Sequence, residues 1–367
     1  WQEVQSDGFL IFFIEAAFTK IYRTQSMNLL TNWSDGCIIS ITEPATLSLA
    51  SVRMRNSAGL FMFRGDPMYQ YPKNFLSVTQ LIQKLIDAGM TIESHDEATT
   101  ALTTIGYYRL KGYSFQQIDT TTKKYITVTN FSDILRLYHF DSELSHLIFS
   151  YLSQIEVALR ARLVNAFQTT QDALILHDPS AFKDKELFWK NQGTVASEIS
   201  RSNDVFIEHN FNNHEGSIPL WASVEVMSFG TMSKTIKNMK TGNQSAFSIL
   251  VQNYKFKNAK GNNVNPSKDM FTSWIQAASV TRNICAHNSR IYNRTISTRP
   301  QLISSDLINP QLRYNGLYQI ILSMKYLRPT DESWTNFVTD FKQLLAKYKG
   351  TYNISRLNFP ADWESHL

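Results

Sequence analysis

The sequence has only two cysteines among its 367 residues, Cys37 and Cys285. They lie far apart, with neither the close spacing of a zinc site nor a disulfide framework, so they indicate a reducing compartment and no metal site. Long apolar runs are missing too, because the run from Phe9 to Ile14 stops at Glu15, far short of the roughly 20 residues that span a bilayer. We therefore expect a cytoplasmic protein with no membrane segment, metal or cofactor.

Charge is sparse but unevenly distributed. Charged residues make up 18% of the chain, and the net charge is +5. Residues 251–300 hold eight lysines and arginines against one acid, Asp269, so this segment alone carries +7 and the remainder is slightly acidic. A local basic field favours a polyanionic partner such as RNA. The alternative is a solvated lysine-rich loop with no ligand.

Periodicity divides the chain into four segments. Residues 1–70 mix short apolar runs with Ser/Thr-rich stretches and form an extension of uncertain status. Helical patterns then predict an N-terminal helical region at 71–128, a helical core at 129–300 and a C-terminal helical region at 301–367. The predicted fold is mainly α, a helical bundle with at most short β segments, one of them at residues 125–129.

The strongest helical pattern runs from Ile134 to Phe167, with apolar residues every three or four positions. Glu156 and Arg160 lie beside the apolar stripe, at the i,i+4 spacing of a helical ion pair. Such a pair is usually part of a solvated face. A second interpretation is that it orients a neighbouring helix.

Residues 106–113 form an aromatic and basic cluster bounded by two glycines. Its tyrosines suit core packing, but an exposed tyrosine with adjacent cations would also suit stacking on a nucleic-acid base. The second alternative makes three residues candidates for RNA binding: Tyr108, Arg109 and Lys111.

A helix is predicted after Ser267, with an apolar stripe from Trp274 to Cys285. Its other face carries Arg282, Asn283 and His287, followed by further cations. Arg282 and His287 are five residues apart and diverge by about 140° around an ideal helix, so one helix does not easily direct both at one atom. Two copies related by a two-fold axis could do so, which motivates a homodimer hypothesis.

This pair has the chemistry that RNA cleavage needs, and the alternative is a surface arginine and histidine on a solvated helix face. Histidine titrates near pH ~6.5 and can act as general base or acid, while arginine stays charged and can bind phosphate through two parallel hydrogen bonds. The nucleophile would be the 2′-hydroxyl of the RNA itself, so no metal-bound water is required. Additional cations suited to RNA phosphates are Arg290, Arg294, Lys255, Lys257 and Lys260.

The segment from Arg282 to Arg294 resembles the R-x4-6-H signature of HEPN ribonucleases, in the form found in abortive-infection (Abi) proteins of the AbiD and AbiF type. Four further blocks match in order, at residues 105–113, 137–144, 155–160 and 219–230. The resemblance covers about residues 71–299. It implies a HEPN-type helical bundle with Arg282 and His287 as catalytic residues and Asn283 as a supporting polar residue.

The resemblance also implies a composite site at a homodimer interface and a role in phage defence, or as a toxin held in check by an antitoxin. We therefore expect a metal-independent endoribonuclease that leaves 2′,3′-cyclic phosphate ends. The alternative is a non-catalytic module that holds a structured regulatory RNA or another protein. A third interpretation is a helical scaffold that senses a phage protein through its aromatic surface.

Overall fold

The computed structural model describes residues 73–306 and 316–367, together with three short strands nearer the start of the chain. These strands are β1 (Ile38–Ile39), β2 (Arg53–Asn56) and β3 (Gly59–Met62), and they pair antiparallel in that order. They belong to a compact unit over residues 1–75, and the rest of the chain forms a second unit over 76–367. Cys37 and most of the predicted 1–70 extension lie outside the described residues.

The second unit begins with three short helices. They are α1 (Val78–Asp87), α2 (His95–Thr104) and α3 (Tyr107–Ser114). Ser77 caps α1, accepting a hydrogen bond from the backbone N–H of Gln80, which fixes the start of this helix. Strands β4 (Met90–Thr91) and β5 (Thr129–Asn130) pair in parallel beside these helices. The segment predicted as β at 125–129 thus contributes only its last residue to a strand.

One helix runs through the whole unit. It is α4 (Phe131–Ala166), 36 residues long, and its apolar stripe is buried along its length. Its first turn packs with α1, α2 and α3 in a small hydrophobic cluster around Ile82, Leu102 and Leu110. The remainder of α4 lies in the main core. The predicted helix over residues 134–167 is therefore confirmed.

Five helices of moderate or short length follow α4. They are α5 (Lys185–Ser200), α6 (Val205–Asn213), α7 (Leu220–Val226), α8 (Phe229–Asn238) and α9 (Ala246–Val251). A two-stranded hairpin comes next, formed by β6 (Phe256–Lys257) and β7 (Asn263–Val264). The hairpin leads directly into the helix that carries the candidate site.

That helix, α10 (Lys268–Ala286), is central to the core and packs against α4, α8 and α11 (Leu317–Leu327). Trp274, Ala277 and Ala278 are fully buried, and the small alanines let the neighbouring helices approach closely. The last helix, α12 (Asp331–Lys347), packs along α4. The described part of the chain is thus mainly α with a few short strands, as predicted, and it contains no helix long and apolar enough to cross a membrane.

Candidate functional site

Arg282 lies on the side of α10 that faces α4. Its Nε atom is 3.3 Å from a carboxylate oxygen of Glu156, and its guanidinium carbon lies 5.6 Å from the ring centroid of Phe149. Its side chain keeps 33% of its surface exposed. Arg282 is thus held by an ion pair and an aromatic ring while part of its guanidinium remains accessible to a ligand.

Glu156 connects this arginine to a second one. It is 6% exposed, and its other oxygen lies 2.5 Å from Arg160. Arg160 also donates hydrogen bonds to the backbone carbonyls of Val224, Glu225 and Met227 at the end of α7. Glu156 and Arg160 are therefore not a solvated face, and they contact the end of a neighbouring helix, which agrees with the second interpretation of this pair.

His287 is the residue at which α10 ends. Its backbone N–H still donates to the carbonyl of Asn283, and Asn288 follows in the left-handed conformation with φ 49°. The N–H of Ser289 then reaches back 3.0 Å to the carbonyl of Ile284, which completes a Schellman-type helix end. This turn exposes His287 to solvent.

Asn283 is exposed one residue after Arg282. Its side-chain oxygen accepts a hydrogen bond of 3.3 Å from Arg282. The same helix thus presents Arg282 towards α4 and His287 on a different side, as the five-residue spacing predicts. Within the described chain, no hydrogen bond joins Arg282 to His287.

Two arginines connect the loop that follows His287 to α3 by hydrogen bonds. Arg109 donates to the carbonyl oxygen of Asn288, and Arg290 donates to the carbonyl oxygen of Gly112. The guanidinium of Arg290 also lies 5.8 Å from the ring centroid of Tyr113. The aromatic and basic cluster on α3 is therefore packed against the end of the helix that carries Arg282 and His287.

A buried carboxyl group on α4 accepts hydrogen bonds from the same loop. Asp141 on α4 is 2% exposed, and it accepts hydrogen bonds from the backbone N–H groups of Ile291, at 3.1 Å, and Tyr292, at 2.6 Å. The hydroxyl of Tyr113 donates to it at 2.7 Å. Burial raises the pKa of Asp141 most strongly, while these hydrogen bonds act to lower it. The burial of Tyr113 and the charge of Asp141 likewise raise the pKa of the tyrosine hydroxyl.

Sequence reasoning did not single out Asp141, although a local signal exists. It sits among buried apolar residues on the face of α4 that also carries Ile148 and Leu152. Acidic side chains are almost never fully buried unless they are paired. A carboxyl group on an apolar stripe therefore predicts buried donors, but the sequence does not show where those donors lie.

The other predicted RNA-binding residues lie in two places. Tyr108 on α3 is 80% exposed, Lys111 lies 5.7 Å from the ring of Tyr107, and Arg294 is exposed beyond the loop that follows His287. Arg109 and Arg290 thus lie where α3 meets the loop after α10, and Arg294 lies just beyond it. Lys111 instead shares the Tyr107 ring with Lys84 of α1, on another side of α3.

Three lysines lie elsewhere. Lys255, Lys257 and Lys260 are exposed on the β6–β7 hairpin. Phe256 of this hairpin packs against Trp274, with ring centroids 6.1 Å apart. Because Trp274 is thirteen residues before His287, the hairpin lies about 20 Å along α10 from that end. The three lysines are not brought together with Arg282 and His287 within one chain.

The remaining chemistry near this end of α10 is limited. Burial raises the pKa of the Cys285 thiol to about 11, so the group is uncharged at neutral pH. Among the described residues, no group of three His, Cys, Asp or Glu side chains could hold a metal ion. An exposed imidazole and a partly exposed guanidinium are thus the main reactive groups at this end of the helix.

Comparison with known proteins adds one finding to this geometry. The sequence profile of the family described as Abi-like protein matches residues 100–293, which is more than half of the 367-residue chain. The matched range contains Asp141, Glu156, Arg282 and the loop after His287. Comparison with curated proteins and with solved structures gave no significant match. The chain belongs to the family of Abi-like proteins.

Proposed function

We propose that this protein is a metal-independent HEPN endoribonuclease that acts in phage defence by cleaving RNA in the cytoplasm. The observation that carries the proposal is that an exposed imidazole and an anchored guanidinium both lie near one end of α10, on different sides of the helix. Arg282 is held by buried Glu156 yet keeps a third of its side chain exposed. His287 is exposed on a turn whose backbone is tied to two other helices.

In this mechanism His287 accepts the proton of the RNA 2′-hydroxyl or donates one to the departing 5′-oxygen. Arg282 binds the phosphate and stabilises the additional negative charge of the phosphorane. The products are a 2′,3′-cyclic phosphate and a 5′-hydroxyl. DNA lacks the 2′-hydroxyl, so DNA is not a substrate.

The divergence of Arg282 and His287 around α10 supports a site shared by two copies. A two-fold axis would direct the arginine of one chain and the histidine of the other at the same phosphate. Mixing Arg282→Ala protein with His287→Ala protein tests this arrangement. A mixed dimer would contain one intact site, so an equimolar mixture should regain about one quarter of the parent activity. Two inactive proteins that stay inactive after subunit exchange would contradict the shared site.

The first test of catalysis uses mixed cellular RNA in excess EDTA, with mapping of the new ends. The parent should cleave and leave cyclic phosphate ends, whereas His287→Ala should not. His209→Ala is the matched control, because His209 is an exposed histidine on a different helix, α6. Cleavage that persists in His287→Ala would assign the activity to another site or to a contaminant.

The second candidate function is an RNA-binding module that cleaves nothing and holds a structured regulatory RNA. The exposure of Tyr108 and Arg294 favours some contact with RNA in either case. No cleavage by the parent, together with salt-sensitive RNA binding that His287→Ala leaves unchanged, would favour this candidate. An antitoxin that restrains the protein is part of the first proposal.

A further inference from the structure

The end of α10 and the loop after it make more hydrogen bonds than a helix cap requires. A Schellman turn satisfies the last carbonyls of a helix by itself. Here three more attachments fix the next five residues: Arg109 to the carbonyl of Asn288, Arg290 to the carbonyl of Gly112, and Asp141 to the N–H groups of Ile291 and Tyr292. Two of the attachments involve α3 and the third involves α4.

We propose that Asp141, together with Arg109 and Arg290, is a positioning device for the imidazole of His287. This inference rests on the proposed nuclease function, but its physical claim concerns the orientation of His287 and can be tested without RNA. Asp141 acts through the loop and does not touch the substrate, so it is a positioning residue rather than a catalytic one.

The burial of the group supports this role. Asp141 is 2% exposed and accepts from two backbone N–H groups and one hydroxyl. A buried carboxyl group is unfavourable unless several donors satisfy it, so its interactions specify one arrangement of the loop. If the carboxyl loses a donor, the loop must move or leave a buried N–H without a partner. Either change would be transmitted to His287, which lies four residues before Ile291.

The two arginines have the same effect at the contact with α3: Arg109 belongs to α3 and binds the loop, and Arg290 belongs to the loop and binds α3. A guanidinium bound to a backbone carbonyl has fewer donors left for phosphate. Arg109 and Arg290 therefore contribute first to the geometry of the loop, and the exposed residues Tyr108 and Arg294 remain for direct contact with RNA. The proposal thus divides the predicted RNA-binding set into a positioning group and a contact group.

The first experiment measures His287 directly by NMR, using the imidazole carbon–proton signals of protein labelled at histidine. The His287→Gln variant assigns the signal. Asp141→Asn replaces one acceptor by an NH2 donor that faces backbone donors, and Tyr113→Phe removes only the hydroxyl. Both variants should shift or broaden the His287 signal, with the smaller change in Tyr113→Phe, which stays informative if Asp141→Asn does not fold.

Glu143→Gln is the matched control, because Glu143 is two residues away on the same helix but binds Lys347 and Tyr348 instead. It should leave the His287 signal unchanged. A His287 signal with the same shift, linewidth and titration curve in the parent and in both test variants would overturn the positioning role, whether or not the protein cleaves RNA.

The second experiment measures steady-state cleavage of an RNA oligonucleotide by the parent and the same variants. Loss of positioning should lower kcat by about ten-fold or more in Asp141→Asn with little change in KM, because misplacement by about 1 Å can cost up to 100-fold. A rise in KM at constant kcat would instead make the loop an RNA-binding element and would contradict the proposal. A parent that cleaves no RNA would refute the nuclease function but leave the NMR result to decide the positioning role.

Discussion

Glu156 and Arg282 form an ion pair between the two longest helices of the described chain, with a separation of 3.3 Å. The carboxylate is almost completely buried and is shared with Arg160. The arginine that we place at the reactive phosphate is therefore oriented by a residue in the core. The position of Arg282 therefore depends on the packing of α4 against α10 and on the hydrogen bonds from Arg160 to the end of α7.

The first prediction concerns this pair. Glu156→Gln keeps the size of the side chain but removes the charge that Arg282 and Arg160 share. We expect the free energy of unfolding to fall by about 1–3 kcal/mol, since hydrogen bonds to charged groups contribute on this scale and the partial exposure of Arg282 weakens its share. RNA cleavage should fall with it. Urea denaturation and a cleavage assay check the two effects, and unchanged values in both would show that Glu156 does not hold Arg282.

The second prediction concerns Arg160. Lysine at this position cannot reproduce the planar set of donors that binds Glu156 and three carbonyl groups at the end of α7. Arg160→Lys should lower the free energy of unfolding by about 2–4 kcal/mol, because buried acceptors lose their donors. Arg201→Lys is a suitable control, since Arg201 is exposed and, among the described residues, bonds the nearby carbonyl of Ser197. Equal stability losses in the two variants would contradict a special role for Arg160.

The third prediction concerns pH. Burial raises the pKa of Asp141 above its ordinary value of 3.8. Between that value and the raised pKa the folded protein binds a proton that the unfolded chain has released, so this residue's contribution to stability is present below 3.8 and declines as pH rises. Asp141→Asn lacks the titrating group. The stability of the parent should therefore fall more steeply with pH than that of the variant, measured by urea denaturation at several pH values from about 4 to 7. Parallel curves would refute the raised pKa.

The fourth prediction concerns Cys285. Burial raises the pKa of its thiol to about 11, and the thiolate is the reactive form. In a Cys37→Ser background, a thiol reagent at pH ~8 should label native protein slowly and urea-unfolded protein rapidly, because the free thiol pKa is near 8.5. Rapid stoichiometric labelling of the native protein would show that the C-terminal part of α10 opens readily.

Local periodicity predicted the helices well. The apolar repeat over residues 134–167 and the helix predicted after Ser267 each depend on a pattern inside a single helix, whose physical cause acts between residues three or four apart. The same regularity predicts that Arg282 and His287 point in different directions. These features require no knowledge of the partners of each helix.

The partners of the polar residues could not be predicted in this way. Arg109 bonds a carbonyl 179 positions later, and Asp141 bonds backbone groups about 150 positions later. No periodic pattern connects such residues, because their contact depends on how α3, α4 and α10 pack together. The use of Arg109 and Arg290 in holding a loop is for this reason a result of the tertiary structure.

The sequence by itself determined the mainly helical fold and the basic character of residues 251–300, because composition and helical spacing are local properties. Its resemblance to HEPN proteins made Arg282 and His287 the candidate pair. The tertiary structure alone decided that Glu156 holds Arg282, that Asp141 fixes the loop after His287, and that Lys255, Lys257 and Lys260 lie about 20 Å along α10 from that loop. The physical reason is that buried charges take their partners from whichever helices the hydrophobic core brings beside them.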